Sequence, residues 1–136
     1  MIITPVSVGD VLDKISILQI KLERILDSQK LINIRVELDH LLAAAKEYRH
    51  PALESELKKV NESLWEIEDQ IRVKEHLQEF DNEFINLARL VYITNDKRAD
   101  IKREINKAAG SELVEEKFYT VTDGSSFSLI NIVGEV

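Results

Sequence analysis

The sequence predicts an all-α protein, an antiparallel helical bundle of about four long helices with a small β-hairpin or an extended appendage at its C-terminus. Apolar residues repeat every three or four positions through four segments, as on the buried face of a helix. Only four glycines and two prolines occur, so few turns are available. The breaks that do occur, at Asp27-Ser28, at His50-Pro51 and near Phe80, divide the chain into four segments.

The first two helices are separated by a capping signal. Ser7 is a typical N-cap residue, and it precedes a helix predicted from about Val8 to Leu26. Asp27 or Ser28 can cap a second helix, predicted from about Lys30 to Tyr48. A continuous helix through this cap is the less favoured alternative. The inward face of the first helix carries Val11, Ile15, Leu18, Leu22 and Ile25, widened by Leu12 and Leu26.

The third helix begins at His50-Pro51, because proline disfavours helix at the residue before it and suits the first helical turn. Its apolar pattern later loses phase, although no glycine or proline marks the change. We predict a break near Gln78 to Asp81, where the aspartate can cap a new helix and Phe80 and Ile85 are spaced as a hydrophobic staple. The alternative is one helix from Pro51 to Ala109, about 90 Å long, which would need a partner chain.

The fourth helix, which ends at the C-cap Gly110, has a polar interruption on its inward face. Its heptad positions are Leu87, Val91, Thr94, Arg98, Ile101 and Ile105. A buried guanidinium is costly unless it is paired, so Arg98 needs a partner. The candidates are Asp13 on the first helix and Glu68 or Asp69 on the third.

The C-terminal segment has the pattern of a hairpin. Asp123-Gly124 is a turn signal between the β-prone stretches Phe118–Thr122 and Phe127–Val133. We expect a small hairpin there that could pair with Ile2–Thr4, and a disordered tail is the alternative. The whole chain is expected to form a single domain, with a helical core up to residue 117.

Composition limits the classes of function. The 136 residues carry a net charge of −7, which argues against nucleic-acid binding because phosphate backbones repel such a surface. The absence of cysteine excludes disulfides and thiolate chemistry. The N-terminal stretch lacks the features of a signal peptide, and no apolar run approaches the roughly 20 residues that span a bilayer. We therefore expect a cytoplasmic protein without membrane insertion.

Motifs for catalysis and for metal binding are not evident in the sequence. It has no glycine-rich phosphate loop, no GxSxG and no HExxH. His40, His50 and His76 are scattered, and the one Glu-x-x-His pair, Glu37 with His40, occurs once and flanks the inward face. We expect no metal and no cofactor, and whether the chain is an enzyme stays open.

Polar residues beside the inward faces allow two interpretations. They can be interhelical ion pairs, as in many bundles. Alternatively they line a pocket for an anionic small molecule, for which the planar fork of Arg98 would be the best anchor. The candidate ligand-binding residues are Lys14, Lys21, Arg72, Asn95, Arg98 and Lys102. Trp65 is interpreted as core packing in preference to a stacking role.

Four segments carry a family resemblance. VSVGDVLDKISILQIKLERI, LWEIEDQIRVKE, FINLARLVYITNDKRADIKREIN and GSELVEEKFY resemble, in order, an uncharacterised bacterial domain-of-unknown-function family of small helical proteins. The resemblance covers about residues 6–119. Members of that family tend to be encoded near glycosyltransferases and other surface-polysaccharide genes. The resemblance implies an accessory role in cell-envelope polysaccharide synthesis and brings no catalytic residue with it.

A shorter stretch, Lys97–Ile105, resembles the helical chorismate mutases. Those enzymes bind a dianion with arginines and lysines inside a bundle and stabilise a pericyclic transition state electrostatically. The resemblance covers only these nine residues of ordinary helical sequence. It adds an alternative to the anion-pocket interpretation, an enzyme of the chorismate-mutase kind.

Two functional hypotheses follow. The leading one is a helical interaction module with a possible protein partner in polysaccharide synthesis. The alternative is a small-molecule-binding protein or enzyme with an anion pocket between helices. We also expect a homodimer, because the fourth helix is longer than the first two and its stretch Val91 to Ile105 would overhang a compact monomer.

Overall fold

The computed structural model describes residues 1–118, and four α-helices occupy most of this range. They are α1 (Val8–Arg24), α2 (Ser28–Ala44), α3 (Pro51–Leu77) and α4 (Asn82–Ala109). The all-α prediction is confirmed. The predicted C-terminal hairpin lies outside the described residues, apart from its first position. None of these four helices has both the length and the apolar composition needed to cross a bilayer.

The helices begin and end at local signals in the sequence. Ser7, Asp27, His50 and Asp81 each cap a helix, and each side chain accepts a hydrogen bond of 2.9–3.2 Å from the backbone N–H three residues further on. Gly110 ends α4 in the left-handed conformation, at a φ of 64°. These caps confirm the predicted starts of α1, α2 and α4 and the predicted end of α4. The second helix is shorter than predicted, since it ends at Ala44.

The break between α3 and α4 lies where the apolar pattern changes phase. Gln78 adopts the left-handed conformation and ends α3, which rules out one helix from Pro51 to Ala109. The structure shows an aromatic partner for Phe80, whose predicted staple partner was Ile85. Phe80 packs edge-on against Phe84, with ring centroids 5.2 Å apart, while Ile85 is exposed. Aromatic rings favour this edge-to-face contact, which explains the choice of Phe84.

Helix α1 is central to the arrangement. Among the four helices it is the one that lies close to all of the others, whereas α2 lies close to α1 alone. Helices α3 and α4 form an antiparallel hairpin, and α1 runs antiparallel to α4, with Gly9 near Asn106 and Asp13 near Arg98. The expected four-helix bundle is therefore a group of three mutually adjacent helices, with α2 added on α1.

The core lies at the end of the molecule where α1 packs against the other three helices. Its buried side chains include Leu12, Ile15, Leu18, Leu38, Ala45, Leu57 and Ile105. Because α3 and α4 have 27 and 28 residues and α1 has 17, the hairpin extends beyond α1. We call residues 68–93 the distal hairpin. Leu87 is the only buried residue in this range.

The stretch of α4 that α1 leaves uncovered is not the stretch that the sequence predicted. The sequence indicated that Val91 to Ile105 would overhang. Instead α1 covers most of this stretch, through contacts at Arg98 and Lys102. Helix α1 packs against the C-terminal part of α4. The uncovered part of α4 is therefore its N-terminal part, which belongs to the distal hairpin.

Candidate functional site

A group of polar side chains, most of them buried, lies where α1, α3 and α4 meet. Helix α1 contributes Asp10, Asp13 and Ser16, α3 contributes Asn61, and α4 contributes Arg98 and Lys102. The residues from α1 are three apart and those from α4 are four apart, so each set lies on one face of its helix. We call this group the polar cluster.

Asp13 is the centre of the polar cluster. Its side chain is 6% exposed, and its Oδ1 accepts hydrogen bonds from Arg98 Nε at 3.0 Å and from Asn61 Nδ2 at 2.9 Å. Arg98 also donates from Nη2 to the other carboxylate oxygen, which makes the pair bidentate. The hydrogen bond to Asp13 raises the pKa of Arg98 above its usual value. Of the predicted partners of Arg98, the structure therefore selects Asp13 and not Glu68 or Asp69.

Ser16 and Asn61 complete the hydrogen bonding around Asp13. The Ser16 hydroxyl donates to the backbone oxygen of Asp13 at 2.8 Å and accepts from Asn61 Nδ2 at 2.7 Å. Over residues 1–118, no buried side-chain nitrogen or oxygen lacks a hydrogen-bond partner. The cluster is satisfied by the protein itself, as a stable buried polar network requires.

Lys102 is buried one helical turn after Arg98. Its Nζ lies 2.8 Å from Asp10 Oδ1 and 3.1 Å from Glu115 Oε2. Burial by itself would lower the pKa of this amine, but Asp10 and the other nearby carboxylates outweigh it and raise the pKa. The contact with Glu115 also ties the segment after α4 to the polar cluster.

The helices approach most closely at Gly9. Its backbone N–H donates to Asn106 Oδ1 at 2.6 Å. A Cβ added at Gly9 would lie 2.7 Å from the backbone oxygen of Lys102, closer than such atoms can approach. Glycine is therefore needed here so that the start of α1 can pack against the end of α4.

Carboxylates outnumber cations in and beside the polar cluster. Arg98 and Lys102 face the carboxylates of Asp10, Asp13 and Glu115. A bound anion would meet three negative groups and two cations that are already paired. This balance supports the interhelical ion-pair interpretation and argues against an anion site at Arg98.

Sequence comparison places the chain in a family. The description "Family of unknown function (DUF6165)" matches residues 2–135. The chain belongs to the DUF6165 family. No curated protein and no solved structure matches the chain. The match extends the resemblance seen in the sequence to nearly the whole chain, and it assigns no activity to any residue.

The other predicted ligand-binding residues of this DUF6165 chain lie apart from the polar cluster. Lys14 pairs with Glu37 on α2 at 3.0 Å, and Arg72 lies 3.7 Å from Glu68 on the exposed surface of α3. Lys21 and Asn95 are half-buried, and neither is among the residues bonded to Asp13, Arg98 or Lys102. Of the six candidates, the structure brings Arg98 and Lys102 together.

Trp65 has a contact that the sequence did not indicate. The Arg24 guanidinium lies 5.6 Å from the centre of the indole ring and also pairs with Glu66 at 2.6 Å. Trp65 is half-buried, so it contributes to packing on α1 and stacks on an arginine of its own chain. Over the described residues, no group of three or more His, Asp or Glu side chains is placed to hold a metal ion.

Sequence reasoning did not find Asn61, Ser16, Asn106, Gly9 and Glu115. One signal was present for Asn61, which is four residues after Leu57 and three before Leu64 and therefore shares their buried face. The partners of Gly9 and Lys102 come from distant parts of the chain, and no local pattern indicates them.

Among the cavities that residues 1–118 line, two lie at the end of the molecule where the core is. The larger, of about 480 Å³, opens between the start of α1 and the ends of α2 and α4, and we call it the basal groove. The smaller, of about 310 Å³, lies beside it, and both are lined by Tyr48 and Ala109. Neither is lined by residues of the polar cluster, so the cluster's charges do not face these cavities.

Proposed function

We propose that this chain is a non-catalytic helical interaction module that binds a partner protein through its distal hairpin. One observation carries the proposal: an ordered helical hairpin exposes a series of large apolar side chains. They are Val73, Leu77, Phe80, Ile85, Leu90, Tyr92 and Ile93, and their exposed fractions range from 38% to 58%. Concentrated apolar exposure of this kind is typical of interaction surfaces.

Ion pairs hold the tip of the distal hairpin in place. At its tip, Lys74 Nζ lies 3.0–3.2 Å from carboxylate oxygens of Glu79, Asp81 and Glu83. The hydrogen bond to Asp81 is the main reason why the pKa of Lys74 is raised above its usual value. The amine therefore stays charged and bridges the end of α3 to the start of α4, which holds the turn in place. Individual exposed pairs contribute little stability, so the tip gains from their number.

The proposed setting rests on the family resemblance of the sequence. Relatives of that kind tend to be encoded near glycosyltransferases and other surface-polysaccharide genes. The expected partner is therefore a protein of cell-envelope polysaccharide synthesis. The distal hairpin of the structure supports the existence of a partner. The identity of that partner is supported by the sequence resemblance alone.

The experiment compares three immobilised forms of the protein in a co-purification from extract. Leu77→Ser with Leu90→Ser removes apolar side chains from the distal hairpin, and Ile32→Ser with Val36→Ser is the matched change on the exposed face of α2. We expect a partner that the wild-type protein and the α2 variant retain and the distal variant loses. Equal retention by all three would show that the distal hairpin is not the contact surface.

The identity of the retained partner tests the setting separately. A glycosyltransferase or an export component supports the polysaccharide role, and an unrelated protein removes that part only. The anion-pocket alternative is tested by thermal shift with nucleotide sugars, sugar phosphates and chorismate. If a ligand raises the melting temperature of the wild-type protein but not that of Arg98→Met, the result would support the anion pocket. It would do so although the charges of the polar cluster argue against such a pocket.

A further inference from the structure

The chain turns back along α4 after that helix ends. The backbone N–H of Ser111 donates to the backbone oxygen of Asn106 at 2.9 Å, and Ser111 and Leu113 line the basal groove. Four residues after Ser111, Glu115 Oε2 lies 3.1 Å from Lys102 Nζ, one turn further from the end of α4. We call residues 111–118 the C-terminal strap. The strap therefore runs from the basal groove towards the distal hairpin, in the direction opposite to α4.

The strap leads onto one face of α4. Six residues recur there every three or four positions and so lie in one line: Ile85, Ala88, Tyr92, Asn95, Ala99 and Lys102. We call this line the α4 stripe. At its near end Lys102 is bonded to the strap, and Asn95 and Ala99 are half-buried. At its far end Tyr92 and Ile85 are 56% and 52% exposed. The covered part of the stripe thus continues directly into an uncovered part in the distal hairpin.

Segment 119–136 follows the strap and lies outside the described residues. From Lys102 to Ile85 the α4 stripe is about 25 Å long, at 1.5 Å per residue. An extended chain advances about 3.3 Å per residue, so it would reach the level of Tyr92 at about residue 120 and the far end of the stripe at about residue 123. The turn signal Asp123-Gly124 falls at this point, and a turn there would return Phe127 to the level of Tyr92.

The composition of segment 119–136 suits an apolar face. Residues 125–134 contain no charged side chain, and five of them are large and apolar, namely Phe127, Leu129, Ile130, Ile132 and Val133. Such side chains favour positions in which apolar surface is removed from water. The exposed end of the α4 stripe lies ahead of the strap, whereas the basal groove lies behind it. Direction, reach and composition therefore favour the same location.

We propose that segment 119–136 packs on the exposed end of the α4 stripe, over Tyr92 and Ile85, and competes there with the partner protein. The competition rests on the proposed function, because these two residues belong to the apolar set of the distal hairpin. Leu90 is two positions before Tyr92 and so lies on the opposite side of α4, where the segment leaves it exposed. A partner that needs the whole set must displace the segment, which lowers its apparent affinity.

Disulfide formation within one chain tests the location, because the natural chain contains no cysteine. Phe127→Cys is combined with Tyr92→Cys or, as the matched control, with Ile93→Cys, which is the next residue of α4 but lies off the stripe. After mild oxidation, we expect a linked monomer on a non-reducing gel in much greater yield with Tyr92→Cys. Equal yields for the two pairs would overturn the proposal.

The same cysteine also tests other locations for the segment. Phe127→Cys with Ile3→Cys detects packing on the residues before α1, and Phe127→Cys with Leu113→Cys detects packing in the basal groove. A greater yield from either pair than from Phe127→Cys with Tyr92→Cys would overturn the proposal. Linked dimers in place of linked monomers would also overturn it, since the segment would then lie on a second copy.

Binding of the dye anilinonaphthalene sulfonate tests coverage in a chain without added cysteine. Leu129→Asp with Ile132→Asp should release the segment, so we expect stronger dye fluorescence from the uncovered apolar face. Ser125→Asp with Ser126→Asp is the control, because it adds the same charge next to the turn signal and keeps the apolar residues. Fluorescence that rises equally in both variants, or in neither, would contradict the proposed coverage.

The competition is tested in the co-purification that tests the proposed function. Leu129→Asp with Ile132→Asp should retain more partner than Ser125→Asp with Ser126→Asp. If the segment covers the face in about nine molecules of ten, the gain in apparent affinity is about tenfold. Equal retention would disprove the competition. If the proposed function itself fails, none of the forms retains a partner, and the disulfide yields still decide where the segment lies.

Discussion

The two halves of α4 show opposite relations between polarity and burial. In the half that α1 covers, Thr94, Lys102 and Asn106 are polar and yet buried. In the distal hairpin, Leu90 and Ile93 are apolar and yet exposed. The difference is the neighbouring helix, because α1 supplies carboxylates and close backbone contacts that the distal half lacks. Burial in this molecule therefore depends on which helix is present, and exposed apolar residues mark where a neighbour is absent.

The largest expected effect comes from removing a cation in the covered half. Arg98→Met keeps the apolar stem but leaves Asp13 buried without its charged partner, so we expect the free energy of unfolding to fall by about 3 kcal/mol. Arg89→Met is the matched change on the exposed surface of the distal hairpin, and it should stay within about 0.5 kcal/mol. Urea unfolding of both variants gives the comparison. Similar losses in the two halves would show that the Asp13 pair does not stabilise the fold.

The second expected effect tests the close approach of α1 to α4. Alanine has a better helix propensity than glycine by about 1 kcal/mol, but Gly9→Ala places a methyl group 2.7 Å from a backbone oxygen. Since backbone cannot move aside as a flexible side chain can, we expect a net loss of roughly 2 kcal/mol in stability. In Gly110→Ala nothing lies within 4 Å of the new Cβ, and the cost of its positive φ is about 1 kcal/mol. A stabilised Gly9→Ala variant would show that the helices can separate at little cost.

The smallest expected effect is a pH dependence in the covered half. The folded-state pKa of Lys102 is raised, so its stabilising contribution is complete below the unfolded pKa of about 10.4 and is lost as the pH rises above that value through the folded pKa. Between pH 9 and pH 11.5, the wild-type protein should therefore lose more stability than Lys102→Met, as measured by urea unfolding. Parallel curves for the two proteins would remove Lys102 as a source of alkaline instability.

The sequence was most informative about the individual helices. The caps Ser7, Asp27, Asp81 and Gly110 were predicted because capping depends on a few neighbouring residues and their backbone geometry. The break near Gln78 was predicted from the change in apolar phase. The position of α2 was not predicted, because an apolar stripe shows that a helix packs and does not identify its neighbours.

The polar cluster was predictable only in part from the sequence. The heptad position of Arg98 indicated burial and a need for a carboxylate, and Asp13 was among the candidates. Lys14 and Arg72 were also candidates from the sequence, yet they pair with Glu37 and Glu68 on the surface. The choice between such partners depends on the crossing of helices far apart in the chain, which spacing within one helix does not determine.

The separation of Gly9 and Asn106 in the chain has a consequence for folding during synthesis. The two residues are 97 positions apart, whereas α3 and α4 are joined by a short turn. Closing a long loop costs more entropy than closing a short one, so the α3–α4 hairpin is expected to form before α1 docks on it. Helix α1 leaves the ribosome before the other three helices and must keep Asp13 hydrated until the last turns of α4 have been made. Of the four helices, α1 is therefore made before the others, yet its contacts with α4 are expected to be among the last to form.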